Sequence, residues 1–224
     1  MKKKYNTVIF DLDGTLVDST EGIISSVKFT ISKLNLSPLT EKELLTFIGP
    51  PVQNSFKRFY NLGDKTAQAY AEIFRNNYKK EDIYKANIYN NIINLLKFLK
   101  ENNYKVGIAT YKREDYAINL IKHLKLNEQI DVICGADNKN ILNKSDIINI
   151  CIENLQADKE TSVMIGDTIY DAEASIKSEV DFIAVTYGFG FKSSEVKISN
   201  TIKFIASKPD DLIEYFKENK RISF

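Results

Sequence analysis

Residues 7–16 read TVIFDLDGTL, an apolar run that leads directly into two aspartates, Asp11 and Asp13. The run TVIF is typical of a buried strand, so both carboxylates stand at the carboxyl end of that strand. Like charges this close repel each other and tend to raise one of the two pKa values. A polar loop that caps a helix is the plain interpretation of a single such pair, but a second acidic pair later in the chain favours a chemical role.

Length and composition limit the kinds of protein that this chain can be. Its 224 residues suit one domain with an insertion, or two small domains. Hydrophobic residues at 43% and charged residues at 27% are ordinary for a globular protein with a core. The formal charge of +1 gives no support for binding to nucleic acid or to a membrane surface. The N-terminus does not fit a signal peptide, and no window approaches the roughly 18 apolar residues of a membrane span.

The two cysteines, Cys134 and Cys151, lie in apolar segments, with no histidine or cysteine at the spacing of metal ligands. We expect buried free thiols, which favour a reducing compartment. The sequence therefore predicts a cytoplasmic protein.

Apolar, β-branched runs that predict strands recur along the chain. They lie at 5–10, 104–109, 130–134, 162–165, 182–186 and 202–205. From residue 104 onward, helix-like segments separate these runs. The alternation predicts an α/β fold with a three-layer, Rossmann-like core and a mainly parallel sheet.

The alternation is interrupted between Thr15 and about Asp82, where no convincing strand is predicted. The region holds four helix-like segments, with Ser19 as the expected cap of the first. We expect a core domain over 1–15 and 85–224 and an inserted α-helical cap domain over 16–84. An insertion at this point would hang over the carboxyl end of the first strand, where open α/β sheets bind ligands, so it has the position of a lid.

The second acidic motif is MIGDTIYD at 164–171, which places Asp167 directly after an apolar run and Asp171 four residues further on. Parallel strands bring their carboxyl ends to one edge of a sheet, so three or four acids would meet there. Such a cluster is unfavourable unless protons are shared or a cation neutralises it. Carboxylate oxygens without histidine or cysteine indicate Mg²⁺ rather than zinc.

Two further residues could hold a phosphate group. Thr110 in GIATYK follows the second predicted core strand, where a hydroxyl and a backbone N–H can bind an anion. Lys144 in ILNKSDII begins a predicted helix and could stabilise the charge on a transferring phosphoryl group. Each signal is weak alone, because threonines at strand ends and lysines on surfaces are common.

The order of these motifs resembles the haloacid dehalogenase-like hydrolase superfamily, and more narrowly its phosphoglycolate phosphatase-like branch with a helical cap. The matching segments cover nearly the whole chain: FDLDGTLVDS at 10–19, FIGPPVQNSF at 47–56, GIATYK at 107–112, NK at 143–144, MIGDTIYD at 164–171 and VTYGFG at 185–190. The first and fifth of these motifs together are highly specific.

The resemblance implies a role for each matching residue. Asp11 would be the nucleophile that forms an aspartyl-phosphate, and Asp13 the general acid and then base. Thr110 and Lys144 would position the phosphate. Mg²⁺ would be held by the Asp11 carboxylate, the Asp13 backbone carbonyl and Asp167, with Asp171 nearby. Adjacent carboxylates with opposed pKa demands would then be a division of labour, because Asp11 must stay ionised while Asp13 carries a proton.

Five further residues are candidates for contacts that choose the substrate. The candidates are Gly49, Pro50 and Arg58 in the cap, and Tyr111 and Lys112 after Thr110. The expected substrate is a small phosphorylated metabolite such as phosphoglycolate or a 5′-nucleotide. We expect no nucleic-acid or membrane partner, and a monomer or a weak homodimer.

Two other functions stay open at this point. A phosphomutase of the β-phosphoglucomutase type shares almost every core residue, although the segment IGPPVQNSF is more similar to phosphatase caps. A non-catalytic phosphate-binding module, such as a receiver domain, is shorter and carries its phosphorylated aspartate after a later strand. A dehalogenase is disfavoured because it lacks the second aspartate.

Overall fold

The apolar runs of the sequence form strands in the computed structural model, which describes residues 5–137, 141–192 and 201–221. Parts of the expected core domain, at 1–4, 138–140, 193–200 and 222–224, lie outside the described residues. In chain order the strands are β1 (Thr7–Phe10), β2 (Val17–Asp18), β3 (Asn87–Ile88), β4 (Lys105–Arg113), β5 (Val132–Ala136), β6 (Ser162–Gly166), β7 (Asp181–Val185) and β8 (Ile202–Ala206).

Helices fill most of the chain between these strands. They are α1 (Thr20–Lys33), α2 (Glu41–Leu45), α3 (Val52–Tyr60), α4 (Asp64–Tyr78), α5 (Ile92–Glu101), α6 (Glu114–His123), α7 (Lys144–Asn154), α8 (Ile169–Lys177) and α9 (Pro209–Arg221). Short 3₁₀ turns lie at Asp82–Tyr84 and Lys159–Thr161. None of the helices described here is both long and apolar enough to cross a membrane.

Six strands form one parallel sheet in the order β5-β4-β1-β6-β7-β8. The central strand β1 pairs with β4 on one side and β6 on the other, so that Phe10 lies opposite both Ile108 and Ile165. All four residues of β1 are buried, as expected for a parallel strand covered on both faces. The predicted α/β fold with a parallel sheet is confirmed.

Two layers of helices cover the sheet. Helices α7 and α8 contact each other and cover one face through β4, β5, β6 and β7. Helix α5 lies in the crossover from β1 to β4, which a right-handed connection places on the opposite face, and α9 contacts α5. The free cysteines, Cys134 on β5 and Cys151 on α7, are buried in the core, as the sequence predicts. This arrangement leaves the carboxyl edge of the sheet to the loops that follow the strands.

Strand β4 is longer than predicted. The apolar pattern predicts its end at residue 109, but the strand continues to Arg113. Its register with β5 shifts between Ala109, which lies opposite Cys134, and Arg113, which lies opposite Ala136. An irregularity of this kind bends a strand and re-aims its side chains. The candidate site residues Thr110, Tyr111 and Lys112 lie in this irregular part.

The chain divides into two compact units, one of Met1–Val17 and Ile88–Phe224 and the other of Asp18–Asn87. The expected domain limits, with a cap over 16–84, stay a prediction. Helices α1 to α4 lie in the four segments where the sequence predicts them. The expectation of no strand in this region is wrong at Val17–Asp18, since β2 pairs with β3. A strand of two residues is too short to leave a periodic pattern.

The start of α1 also differs from the expectation. Ser19 occupies the cap position, but its side chain makes no capping hydrogen bond. Instead, one carboxylate oxygen of Asp18 accepts hydrogen bonds from the backbone N–H of Thr20, at 2.9 Å, and from its hydroxyl, at 2.5 Å. The Asp18 side chain, one residue before the cap position, therefore accepts the hydrogen bonds at the first turn of the helix.

Within the inserted unit, a buried carboxylate ties three elements together. Asp82 accepts hydrogen bonds from the Ser26 hydroxyl at 2.7 Å and the Asn77 amide at 2.9 Å. The Lys85 ammonium lies 2.8 Å from the other carboxylate oxygen. Burial raises the pKa of Asp82, but the hydrogen bonds from Lys85 and Ser26 outweigh it and hold the pKa below its usual range. The ionised carboxylate therefore stabilises this unit.

We expect Asp82→Asn to lower the free energy of unfolding by about 1–3 kcal/mol at pH 7, because an amide leaves donors without an acceptor. Since the folded-state pKa is lowered, this contribution is present above the unfolded pKa and is lost as the pH falls through the folded pKa. Urea unfolding at pH 7 and at pH 3 measures both effects. Glu72→Gln on the exposed face of α4 is the matched control and should be neutral. Equal stability of wild type and Asp82→Asn at pH 7 would contradict the stabilising role of the Asp82 carboxylate.

Candidate active site

The predicted carboxylates meet where two neighbouring strands end. Asp11 follows β1 and Asp167 follows β6, and these strands are adjacent in the sheet. The backbone N–H of Asp11 donates to the carbonyl of Ile165 at 2.8 Å, which continues the ladder one residue beyond β1. Both side chains are buried. The register of the sheet therefore fixes the two backbones from which these carboxylates project.

Lys144 joins the two acidic motifs. Its ammonium lies 2.7 Å from a carboxylate oxygen of Asp11 and 2.8 Å from one of Asp171, and only 3% of the lysine side chain is exposed. Lys144 is the first residue of α7, where the Asn143 side chain caps the helix and forms a capping box with Asp146. The cap fixes the start of the helix, and with it the point from which the lysine reaches the acids.

Asp171 serves both the local helix and the site. One of its oxygens accepts hydrogen bonds from the backbone N–H and the hydroxyl of Thr168, at 3.0 and 2.6 Å. Thr168 in turn caps α8 through the backbone N–H of Asp171, at 3.4 Å. This capping box holds one side of the carboxylate, while the other oxygen faces Lys144.

Asp167 is held by backbone donors from the loop after β7. One carboxylate oxygen accepts from the N–H groups of Phe189, at 2.7 Å, and Gly190, at 3.3 Å. The Thr15 hydroxyl donates to the other oxygen at 3.4 Å. These contacts hold the side chain in one orientation within the sheet edge.

Two glycines allow the backbone to approach Asp167 closely. A Cβ atom on Gly14 would lie 2.3 Å from a carboxylate oxygen of Asp167, and the φ of +89° at Gly14 suits glycine. A Cβ atom on Gly188 would lie 2.5 Å from the Cβ of Asp167 and 2.3 Å from the carbonyl oxygen of Gly14. Any larger side chain at either position would displace the aspartate.

The cluster carries more negative charge than its own cation balances. Burial, together with the charge of Asp171, raises the pKa of Asp167 to about 8. Burial also raises the pKa of Asp11 to about 6, although Lys144 opposes the shift. Burial lowers the pKa of Lys144, but the charges of Asp11 and Asp171 outweigh it and hold that pKa above its usual range. Three carboxylates and one ammonium leave two uncompensated negative charges when all are ionised.

This donor set fits a hard divalent cation. One carboxylate oxygen from each of Asp11, Asp167 and Asp171 lies within 4.8 Å of the others, and all three residues are buried. Oxygen-only donors suit Mg²⁺, which binds through one or two carboxylates and keeps other positions for water and phosphate oxygens. The predicted ligand Asp13 is not in this group through its carboxylate, which instead pairs with Lys112.

The residues after Ala109 lie beside this cluster in the sheet order. Thr110 is buried, and its hydroxyl accepts a hydrogen bond from the backbone N–H of Lys112 at 3.1 Å. The Tyr111 hydroxyl accepts from the backbone N–H of Lys144 at 3.1 Å, and its ring lies 5.5 Å from the Lys144 ammonium. Tyr111 therefore supports Lys144 in the core unit.

The cap candidates lie in the other unit. Gly49, with a φ of +100°, and Pro50 are half-buried in the connection between α2 and α3. Arg58 on α3 is exposed; its guanidinium donates to the Thr46 hydroxyl at 2.6 Å and lies 4.5 Å from the centre of the Phe59 ring. Their role in substrate choice stays a prediction.

Sequence reasoning missed the residues that orient the acids. Thr15, Thr168 and the N–H groups of Phe189 and Gly190 have no signal of their own, since each acts through position. The capping pattern Thr-x-x-Asp at 168–171 could have indicated the role of Thr168. The sequence predicts that Lys112 contacts substrate, and no sequence pattern indicates its contact with Asp13.

The chain is similar to proteins of a known family. A family model described as haloacid dehalogenase-like hydrolase matches residues 8–185. The chain is also similar to the crystal structure of a predicted phosphatase from Clostridium acetobutylicum, with a TM-score of 0.89 and 34% identity. That similarity covers 96% of this chain and 99% of the other.

The curated relatives carry several functional names. The tyrosine-protein kinase PtkA of Mycobacterium tuberculosis is 30% identical over 92% of this chain and 71% of that protein. A 5′-nucleotidase of Pseudomonas aeruginosa is 28% identical over 84% of this chain and 85% of that protein. A phosphoglycolate phosphatase of Aquifex aeolicus is 27% identical over 92% and 94%. Relatives with nearly equal identity to this chain are therefore named for different reactions of phosphoryl groups.

The excess negative charge leads to a stability prediction. With a chelator present, we expect Asp167→Asn to raise the free energy of unfolding by about 2 kcal/mol at pH 8, because burial and neighbouring charges oppose ionisation of this carboxylate. Since the folded-state pKa is raised, the stability of the wild type falls as the pH rises from the unfolded pKa to about 8. The advantage of the variant should therefore grow over this range.

Urea unfolding at several pH values tests this expectation. Asp64→Asn, at an exposed position on α4, is the control and should show no such trend. Added Mg²⁺ should raise the melting temperature of the wild type more than that of Asp167→Asn. A variant less stable than the wild type at pH 8 in chelator would contradict the account of the cluster.

Proposed function

We propose that this chain, which belongs to the haloacid dehalogenase-like hydrolase family, is a Mg²⁺-dependent phosphatase that hydrolyses a small phosphorylated metabolite through an aspartyl-phosphate. One observation carries the proposal: a buried carboxylate, Asp11, lies at the end of the central strand, 2.7 Å from a buried lysine and next to two further buried carboxylates. A nucleophile, a lysine ammonium and a set of oxygen ligands for a metal ion then meet at one edge of the sheet.

Asp11 would act as the nucleophile in the first half of the reaction. One of its carboxylate oxygens would attack phosphorus while the bond from phosphorus to the leaving oxygen breaks. Lys144 favours the ionised, attacking form of Asp11 and would also offset the negative charge of the phosphoryl group. The buried position of both groups strengthens this electrostatic contribution, because little water screens them.

Asp13 would transfer the protons. It would give a proton to the leaving oxygen in the first step and take one from the attacking water in the second. In that second step the bond between phosphorus and the Asp11 oxygen breaks, which releases inorganic phosphate and restores the carboxylate. Thr110 would position the phosphoryl group.

The acidic cluster would hold Mg²⁺ through Asp11 and Asp167, with Asp171 nearby. The bound ion would supply a positive charge against the phosphoryl oxygens during transfer. Other groups of the chain orient the carboxylates that would bind this ion. Backbone N–H groups, the Thr15 hydroxyl and the capping box of α8 orient the carboxylates before any ion arrives.

The substrate would differ from that of relatives mainly in its leaving group. The relatives named 5′-nucleotidase and phosphoglycolate phosphatase support a small phosphate monoester. The inserted unit would act as the lid that reads the leaving group and excludes water, with Gly49, Pro50 and Arg58 as its candidate contacts. Tyr111 is a candidate contact from the core unit. We further propose that the protein works in the cytoplasm, a reducing compartment that its free cysteines support, and that it acts as a monomer or a weak homodimer.

A phosphate-release assay tests the function. The panel contains phosphoglycolate, nucleoside 5′-monophosphates, pyrophosphate and sugar phosphates, each with Mg²⁺ and with chelator. Mg²⁺-dependent release from one or two compounds is the expected result. Sugar phosphate isomerisation without net release would indicate a phosphomutase, and protein phosphorylation from ATP would indicate a kinase. Either result would overturn the phosphatase proposal.

We expect Asp11→Asn to lower phosphate release by at least about 10³-fold, because the amide cannot serve as the nucleophile. The fold should persist, since asparagine matches aspartate in size. Circular dichroism and gel filtration check the fold, and steady-state phosphate release measures the loss. Asp64→Asn, an exposed Asp-to-Asn change in the other unit, should keep wild-type activity. Turnover close to wild type in Asp11→Asn would rule out the aspartyl-phosphate at this residue.

A further inference from the structure

We infer that Lys112 is a positioning residue for Asp13, and that the irregularity in β4 brings the lysine to that carboxylate. The inference rests on the proposed function, in which Asp13 transfers the protons. It goes beyond the expectation that Lys112 contacts substrate, because it assigns the lysine to a residue of the protein itself.

The contact between the two residues is close and symmetrical. The Lys112 ammonium donates to both carboxylate oxygens of Asp13, each at 2.9 Å. Only 5% of the lysine side chain and 10% of the aspartate side chain are exposed. Over the residues that the structure describes, no other side chain donates to this carboxylate. The contact with Lys112 therefore fixes the orientation of the Asp13 carboxylate.

The backbone of β4 explains how a strand residue reaches this position. The pairing of β4 with β5 stops after Ala109 and resumes with a changed register at Arg113. Within this stretch the Thr110 hydroxyl accepts the backbone N–H of Lys112, which holds the irregular segment in shape. Irregularities of this kind re-aim side chains next to active sites. The same segment thus presents Thr110 and directs Lys112 towards the loop after β1.

Lys112 and Lys144, whose side chains are both buried, contact different acids. Lys144 lies against Asp11 and Asp171, whereas Lys112 lies against Asp13. A carboxylate that gives a proton to the leaving oxygen and takes one from the attacking water must keep one orientation, since small misplacements of a catalytic group lower rates strongly. With both oxygens engaged by one ammonium, rotation of the Asp13 carboxylate is restricted before substrate binds.

The first experiment compares lysine variants on the substrate that the panel identifies. We expect Lys112→Met to lower kcat by about 10–100-fold with KM changed by less than about 3-fold, because orientation rather than binding is lost. Lys112→Arg should recover most of the rate, since a guanidinium can contact both oxygens of a carboxylate. Lys100→Met is the matched control: it removes the Lys100–Asp131 pair of the same unit, whose side chains are 32% and 37% exposed, and should be silent.

The second experiment asks whether Lys112 acts through Asp13. First-turnover release of the alcohol from an alkyl phosphate, whose leaving oxygen needs a proton, is measured for Lys112→Met, Asp13→Asn and the double variant. If the lysine acts through the aspartate, Lys112→Met should add little to the loss already caused by Asp13→Asn. For the single Lys112→Met variant, the loss should be larger with an alkyl phosphate than with p-nitrophenyl phosphate, whose leaving group needs no proton.

The outcomes separate the alternatives. A higher KM with unchanged kcat would show that Lys112 binds substrate, and equal losses in wild-type and Asp13→Asn backgrounds would show an independent role. Lowered stability with normal kinetics would show a structural role. Each of these would overturn the inference while leaving the proposed function intact. Absence of wild-type activity across the panel, from folded protein, would overturn the proposed function and this inference with it.

Discussion

The burial of like charges at the end of the central strand is the constraint on which the rest of the site depends. Asp11, Asp167 and Asp171 lie together, and a single buried ammonium, that of Lys144, opposes them. Left alone, such a cluster would take up protons or push its members apart. Three features of the chain stabilise the cluster. A capped helix positions Lys144, backbone N–H groups donate hydrogen bonds to Asp167, and two glycines allow the backbone to approach Asp167 closely.

The geometry of the site is well defined because its residues lie at the ends of paired strands and at the starts of capped helices. The register of β1 with β4 and β6 sets where Asp11, Thr110 and Asp167 leave the sheet, and each carboxylate is then fixed by a second contact. The second contacts come from places far apart in the sequence, such as the loop after β7 and the start of α7. Support of this kind is what holds reacting groups in one geometry.

Much of this arrangement could be predicted from the sequence. Apolar runs located the six strands of the main sheet, and two acidic motifs after strands located Asp11 and Asp167. The orienting groups could not be found in the same way. The donors from Phe189 and Gly190 are backbone groups with no residue preference, and the contact of Lys112 depends on a register shift that no pattern of side chains reveals. The sequence predicts Ser19 as the cap of α1, whereas the Asp18 side chain accepts the hydrogen bond; both residue types favour helix starts, and only the backbone conformation decides between them.

The depth at which Lys144 lies has a consequence for the ionic strength at which the site keeps its shape. Dissolved ions screen charges over roughly 8 Å in physiological salt, but only where they can approach. The pair of Lys28 and Glu41, with side chains 52% and 75% exposed, is open to this screening. The contacts of Lys144 with Asp11 and Asp171 are closed to it. The internal order of the acidic cluster is therefore set by the protein interior rather than by the salt around it.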